Sequence, residues 1–562
     1  MSVEPARTPL EEASAWWRDA VVYQVYVKSF ADADGNGIGD LDGVTSRLPY
    51  LAELGVDAIW LSPCFPTPDR DGGYDVADYV DIAEVYGGLP ALDRLLAAAH
   101  EVDLRVMLDI VPNHCSSEHA WFQAALREGA GGEHRNRFLF RDGRGADGSE
   151  PPNNWQSLFG GSAWTRVTEA DGSAGQWYLH LFDSSQPDFD WRHPAVARYF
   201  EDVLTFWFER GVDGFRIDVA HGLVKEAGLP DFDPSGAGPS PMLHHADVHD
   251  VYRHWRAIAD RYQPGRELVF VAEAWAPGAR EAAAYIRADE LHSTFGFELL
   301  VQPWSAAGFR AGVEQSLAAV AEIAKGARSA GAIAWTLNNH DVHRSVTRYG
   351  LRDQVSASTS DPIARTRLRG DVDLALGEAR ARSAVLFLLW LPGPVYLYQG
   401  EELGLPEVLD LPDEARQDPV WIRSNGREVG RDGCRVPLPW SDVGPTFGFS
   451  SDGATPWLPQ PSTFGEYAAS RQEHDPDSTL SLYRDALALR SELRPGVPAT
   501  LEWLPTGDRE DVVAYRRGSV TVACVFGAAG FVVPDAWGEV VISSAGADGR
   551  KLPGSSAAWL AT

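Results

Sequence analysis

"GVDGFRIDVAHGL", residues 211–223, sets an arginine and an aspartate two positions apart in a run whose other side chains belong in a core. Phe215, Ile217 and Val219 alternate with Arg216 and Asp218, the period-2 pattern of an extended strand. A lone buried charge is costly, so Arg216 and Asp218 either face water or hold each other at a strand end. Similar runs lie outward from this strand, at residues 21–30, 57–65, 104–114, 268–275, 293–300, 332–341 and 394–402. Amphipathic helical runs separate most of them, among them "ALDRLLAAAHEVD" (91–103) and "AVARYFEDVLTFWFERG" (195–211). Eight strand–helix repeats with near-continuous apolar strands predict an α/β fold, a parallel (β/α)₈ TIM barrel. A doubly wound sheet would show fewer strands and a phosphate-binding glycine loop, and no GxGxxG or GxxxxGK[ST] follows any of these strands.

The repeat assigns residues 1–114 and 191–495 to the barrel. Residues 115–190, rich in Gly, Asn and Trp, read as an inserted, loop-rich domain after the third strand, without a clear helix. A stretch dense in Pro and Gly, 405–470, reads as a long excursion after the eighth strand, where such loops carry function. The tail, 496–562, contains "DVVAYRRG", "VTVACVFG" and "EVVISSAG" and predicts a C-terminal antiparallel β domain.

At 562 residues the chain exceeds one compact core, and its 44% hydrophobic content is ordinary for a globular protein. A net charge of −31 repels nucleic acid and anionic membranes, which leaves a small neutral substrate as the expected partner. Twenty Trp and 17 Tyr supply flat faces suited to sugar rings. The first twenty residues lack the basic and apolar segments of a signal peptide, and the apolar stretch "AVLFLLWLPGPVYLY" is broken by two prolines and a glycine. Cys64, Cys115, Cys434 and Cys524 form no zinc pattern and suit a reducing cytoplasm. The first three stand within a few residues of candidate pocket groups, so bulky thiol reagents are expected to inhibit. No organic cofactor is expected.

Functional groups of such barrels gather at the carboxyl ends of the strands. Here those ends carry Asp109 and His114, Arg216 and Asp218, Glu273, and His340 with Asp341. Each alone is an ordinary polar cap. Together, Asp218, Glu273 and Asp341 with two histidines, without metal-ligand spacing, point to acid–base and nucleophilic chemistry on a polar, uncharged substrate.

The ordered set "DIVPNH", "GFRIDVA", "VAEAW" and "NNHD" resembles the four signature regions of the α-amylase family of glycoside hydrolases (family 13). "YQVYVKSFADADGNGIGDLDGV", "GGYDVADY", "QPDFDW" and "LYQGEELGL" extend the match over residues from about 15 to 495. "QPDFD" points to the oligo-1,6-glucosidase and α-glucosidase branch. The resemblance implies retaining hydrolysis, with Asp218 as nucleophile, Glu273 as acid/base and Asp341 as transition-state stabiliser. Glu273 then needs a raised pKa and Asp218 a lowered one, which Arg216 would supply. His114 and His340 would be hydroxyl donors at the same subsite. Asp71 and Tyr74 match the branch's pocket end, and Arg435 of "GRDGCRVPLPW" stands where a partner for Asp71 is expected. An Asp71–Arg435 pair would make a blind pocket and exo action. Val219, after the nucleophile, resembles enzymes that accept α-1,6 bonds, so α-1,4 cleavage with α-1,6 activity beside it is expected.

The loop "DADGNGIGD" (32–40) offers Asp32, Asp34, Asn36, the Ile38 carbonyl and Asp40 as oxygens around glycines, a set suited to a hard cation. Its first half resembles an EF-hand loop, though Gly43 stands where the twelfth-position Glu would be. The branch carries a calcium site at this loop, so structural Ca²⁺, or Mg²⁺, is expected. Two other functions compete with an α-glucosidase. One is a transglucosidase on the same fold, of the trehalose synthase or sucrose isomerase type. The other is a non-catalytic relative attached to amino-acid transporters, which would lack the carboxylates and carry a membrane helix.

Overall fold

The structure is a computed structural model that describes residues 15–562 apart from 234, 236–237, 326–330, 355–367 and 369. Most of the segment read as lacking a signal peptide lies outside the described residues. Eight parallel strands close into a barrel: Val21–Val25, Ala58–Leu61, Arg105–Ile110, Gly214–Ile217, Val269–Ala272, Ser293–Phe295, Ala332–Thr336 and Val395–Tyr398. Every strand falls inside one of the eight apolar runs, and the first strand pairs with both the second and the eighth.

Alternation along these strands sorts the side chains into two cores. Val22, Ala58, Trp60, Met107, Val271, Phe295, Ala334 and Tyr396 fill the barrel, while Tyr23, Ile59, Leu108 and Phe270 pack outward against the helices. The helix Pro194–Arg210 starts on a proline and ends at Gly211, whose φ of 117° suits a residue without Cβ. It delivers the chain into the fourth strand, where Asp109 of the third strand sits in register with Arg216.

The inserted domain is more regular than its composition implies. A three-stranded antiparallel sheet (140–141, 164–168, 174–179) packs there, and a helix, Ala120–Glu128, follows the third strand. The expectation of no helix fails because Phe122 and Ala125 bury one face of a short segment whose first turn is capped by His119. The excursion after the eighth strand is built of turns, 3₁₀ segments and the short helix Pro419–Arg423. In the C-terminal domain, five antiparallel strands order as 502–503, 512–517, 520–525, 556–561 and 539–543. This sheet covers the helix Leu374–Leu389, where Trp559 Nε1 donates to the Leu386 carbonyl at 2.8 Å and Tyr515 to that of Phe387 at 2.6 Å.

Candidate active site

The pair that opens the sequence question lies inside the protein. Arg216, 2% exposed, reaches Asp109 Oδ1 at 2.9 Å, Asp218 Oδ1 at 2.5 Å and Glu273 Oε2 at 3.6 Å. One guanidinium thus serves three buried carboxyls. Tyr74 and Trp60 donate to Asp109 at 3.0 and 3.2 Å, which fixes the carboxyl that supports Arg216 from below.

Electrostatics depart from expectation at Asp218. Burial pushes its carboxyl up, with the Arg216 guanidinium opposing, rather than down as a simple ion pair would. Burial also raises Glu273, against Arg216, and lifts Asp109 to about 6. Three carboxyls around one cation do not all ionise together. Arg216 stands 2.5 Å from Asp218 and 3.6 Å from Glu273, so it favours the ionised form of Asp218 more strongly than that of Glu273. Glu273 Oε2 also accepts the Val219 N–H at 2.7 Å. Val219 makes that bond from φ 44°, a left-handed backbone that costs a β-branched residue about 1–3 kcal/mol.

Asp341 has two guanidiniums on one oxygen: Arg431 and Arg435 each stand 3.0 Å from Oδ1, and His340 Nε2 is 3.3 Å from Oδ2. Burial is outweighed there by the His340 Nε2–H on one oxygen and by the Arg431 and Arg435 guanidiniums on the other, which hold the carboxyl well below the usual carboxylate range. Burial drives His340 down and takes His114 to about 4, so both imidazoles are neutral. Tyr74 stacks on His340 with ring centres 5.2 Å apart and planes within 4°.

The end of the pocket is closed by a different arginine from the expected one. Asp71 Oδ1 pairs with Arg431 Nη2 at 2.7 Å, and Arg431 Nε pairs with Asp418 Oδ2 at 2.6 Å. Arg435 instead donates from Nε to the His340 carbonyl at 2.8 Å and does not line the pocket. A 3₁₀ turn, Asp432–Cys434, separates the two arginines and turns the second beneath the site. Asp71 and Tyr74 reach inward because "DGGYD" turns sharply. A Cβ on Gly73, at φ 97°, would meet the Pro63 carbonyl at 2.7 Å. Gln186, the first residue of "QPDFDW", donates to Asp71 Oδ2 at 3.0 Å and lies 3.2 Å from His114 Nε2.

One pocket therefore gathers Asp71, Tyr74, His114, Asp218, Glu273, His340 and Asp341. Sequence reasoning passed over Arg431, though it stands in the segment singled out. It also passed over Leu158, Phe159 and Phe182 of the inserted domain, and over His221, Leu243 and Trp275, which line the walls. All four cysteines are buried and unpaired. Burial lifts the Cys64 thiol to about 12 and those of Cys115 and Cys434 well up, which corrects the expectation of accessible, reactive thiols.

Away from this pocket, carboxylate oxygens of Asp32, Asp34 and Asp40 lie within 4.8 Å of one another. Asn36 turns its Nδ2 to Asp34 Oδ2 at 3.0 Å, and its Oδ1 accepts the Ile38 N–H at 2.8 Å. Asp32 accepts the Gly35 and Gly37 N–H groups, each at 2.7 Å, and the Ser450 hydroxyl at 2.5 Å. The loop is thus tied to the excursion after the eighth strand.

A family model described as "Alpha amylase, catalytic domain" matches residues 24–496. The chain is 36% identical over 545 residues to a probable alpha-glucosidase of Rhizobium meliloti, covering 93% of this chain and 91% of that protein. It is 32% identical over 515 residues to an oligo-1,6-glucosidase of Parageobacillus thermoglucosidasius, covering 85% and 84%. Among solved structures, an alpha-glucosyl transfer enzyme, XgtA, superposes with a TM-score of 0.79 at 34% identity, covering 97% of this chain and 99% of that one. A trehalulose synthase, MutB, from Pseudomonas mesoacidophila gives a TM-score of 0.80 at 28% identity, covering 97% and 99%.

Proposed function

The chain belongs to the α-amylase family of glycoside hydrolases, and we propose that it is an exo-acting, retaining α-glucosidase. It releases glucose from the non-reducing end of maltose and short malto-oligosaccharides, with some α-1,6 activity. The observation that carries this reading is the Asp71–Arg431 pair at 2.7 Å, which closes the pocket that also holds Asp218 and Glu273. A closed end admits one terminal sugar and leaves no path for a chain to run through.

Asp218, oriented by Arg216, attacks the anomeric carbon and forms a covalent glucosyl-enzyme. Glu273 gives its proton to the departing oxygen and later takes one from the water that releases glucose. Asp341 grips ring hydroxyls more tightly as the sugar flattens toward the transition state, while neutral His114 and His340 complete its hydrogen bonds. Product analysis by NMR on maltose, isomaltose, sucrose and trehalose tests this directly. First-formed β-glucose, or internal cleavage of starch, would overturn it.

A transglucosidase is the second reading, supported by the likeness to XgtA and MutB. Leu158, Phe159, Phe182 and Leu243 give the pocket walls an apolar character that favours an acceptor over water. The same NMR panel separates the two by the fraction of glucose transferred rather than freed.

The three carboxylates at 32, 34 and 40, with oxygens within 4.8 Å of one another, fit a hard cation. Ca²⁺ is the ion expected there, with Mg²⁺ as the competitor, and its role is structural. Free cysteines suit a reducing cytoplasm. Among the described residues, no helix is long and apolar enough to cross a membrane.

A further inference from the structure

The ring of His340 stacks on Tyr74 and on Tyr26, with centres 5.2 and 5.9 Å away, which holds it to one plane. Its two nitrogens then meet fixed neighbours. Nε2 stands 3.3 Å from Asp341 Oδ2, and Nδ1 stands 2.7 Å from Gln24 Nε2. Arg431 and Arg435, each 3.0 Å from the other oxygen, keep Asp341 ionised, and an ionised carboxylate only accepts. Burial keeps His340 neutral, with one N–H and one lone pair to place. The N–H therefore belongs on Nε2, toward Asp341, and the lone pair on Nδ1 accepts from the Gln24 amide.

Gln24 comes from the first barrel strand, Val21–Val25, whose alternation turns Val22 and Gln24 into the barrel and Tyr23 outward. It is 1% exposed and reaches His340 without lining the pocket. Its nitrogen serves His340, with the Ser62 hydroxyl farther off at 3.5 Å, while its Oε1 has no hydrogen-bond partner among the described residues. Buried polar atoms without partners are rare, so the amide is not turned this way for its own satisfaction. Turned over, it would set a carbonyl oxygen against the Nδ1 lone pair. We infer that Gln24 is a positioning residue: it holds His340 in the tautomer that presents an Nε2–H to the sugar. This rests on the α-glucosidase reading, in which His340 donates to a ring hydroxyl. Gln24 touches no substrate and acts only through the imidazole.

The test is a double-mutant cycle of Gln24→Met and His340→Phe, read as kcat/KM on maltose, beside a ring-nitrogen NMR spectrum of the free wild-type enzyme. Gln24→Met keeps the length of the side chain and offers no N–H. It should cost about tenfold in the wild type, the scale of one buried hydrogen bond. In the His340→Phe background, which keeps the stacking, it should cost about twofold or less. The spectrum, with the His340 signals identified by their loss in His340→Phe, should show Nε2 protonated and Nδ1 bare. Equal losses in both backgrounds, or a proton on Nδ1, would overturn the assignment. If Gln24→Met does not fold, the wild-type spectrum decides. Products formed by the wild type settle the α-glucosidase reading separately, since the spectrum needs no turnover.

Discussion

Arg431 Nη2 stands 2.7 Å from Asp71 Oδ1, while Arg435, four residues on, binds the His340 carbonyl and Asp341. Both members of the Asp71–Arg431 pair are buried. Removing one partner of a buried pair costs about 3–5 kcal/mol, because the other charge is left stranded. Arg431→Ala should therefore lower Tm and, by misplacing Asp71 at the pocket end, lower kcat/KM on maltose by about 10²-fold. A smaller loss in Arg431→Ala than in Arg435→Ala would return the pocket end to the second arginine.

Glu273→Gln should remove the proton donor and leave the nucleophile. Turnover of maltose should fall by about 10³-fold, within the 10²–10⁴ range of a positioned acid. α-Glucosyl fluoride needs little protonation and should lose far less. Parallel losses on both would take the acid role from Glu273.

The pH profile follows from the raised Glu273 carboxyl. A carboxyl lifted above its ordinary value keeps its proton as pH rises, so acid catalysis survives toward neutrality and is lost on the alkaline limb. The acid limb reports protonation of Asp218. His114, lowered to about 4, stays neutral across the working range and contributes to neither limb near neutrality. Measured on maltose and on the fluoride, the alkaline limb should weaken for the fluoride. An identical alkaline limb on both would assign it to another group.

The cation loop allows a cleaner test than chelation alone. Asp40 Oδ1 caps the helix Leu41–Ser46 through the Gly43 N–H at 2.6 Å. Asparagine caps about as well as aspartate, so Asp40→Asn keeps the cap, while it removes a charge from the ion and the Oδ2 acceptor shared by the Ala33 and Asp34 N–H groups. EDTA should lower the wild-type Tm, and Ca²⁺ should restore it more fully than Mg²⁺. The Asn variant should start lower and respond less to either ion. No change in Tm on chelation would leave the loop held by its hydrogen bonds alone.

Thiol reagents should leave activity intact under native conditions. Cys434 Sγ sits 3.3 Å from the His340 carbonyl in the packed layer beneath the site, and its thiol is pushed up by burial. Activity should persist after prolonged treatment with a bulky maleimide, and all four thiols should label only on unfolding. Rapid inactivation with protection by glucose would show that this layer opens.

The eight barrel strands were legible because buried parallel strands are apolar almost without interruption, although each is shorter than its run. Ser556–Ala561 was not legible. Its small residues carry little strand preference, yet it pairs on both sides, with 520–525 and with 539–543. Charged groups at strand ends were legible by position, since the barrel dictates where those ends converge. Arg431 and Arg435 could not be told apart by pattern. A single turn between them decides which faces Asp71, and that turn is set by contacts distant in sequence. Leu158, Phe159 and Phe182 of the inserted domain carry no local anomaly, so only their neighbours in space reveal them.

A chamber with one doorway imposes an order of traffic. Because Asp71 and Arg431 shut the far end, everything that enters or leaves the glucosyl-enzyme uses the mouth that the leaving group has just vacated. The first product must depart before water arrives, and glucose must be last out. Glucose should then compete with maltose for the empty enzyme. A second maltose arriving early would stand in the doorway, keep water out and accept the glucosyl unit itself. Slowing of glucose release at high maltose and the appearance of longer sugars would be one and the same event.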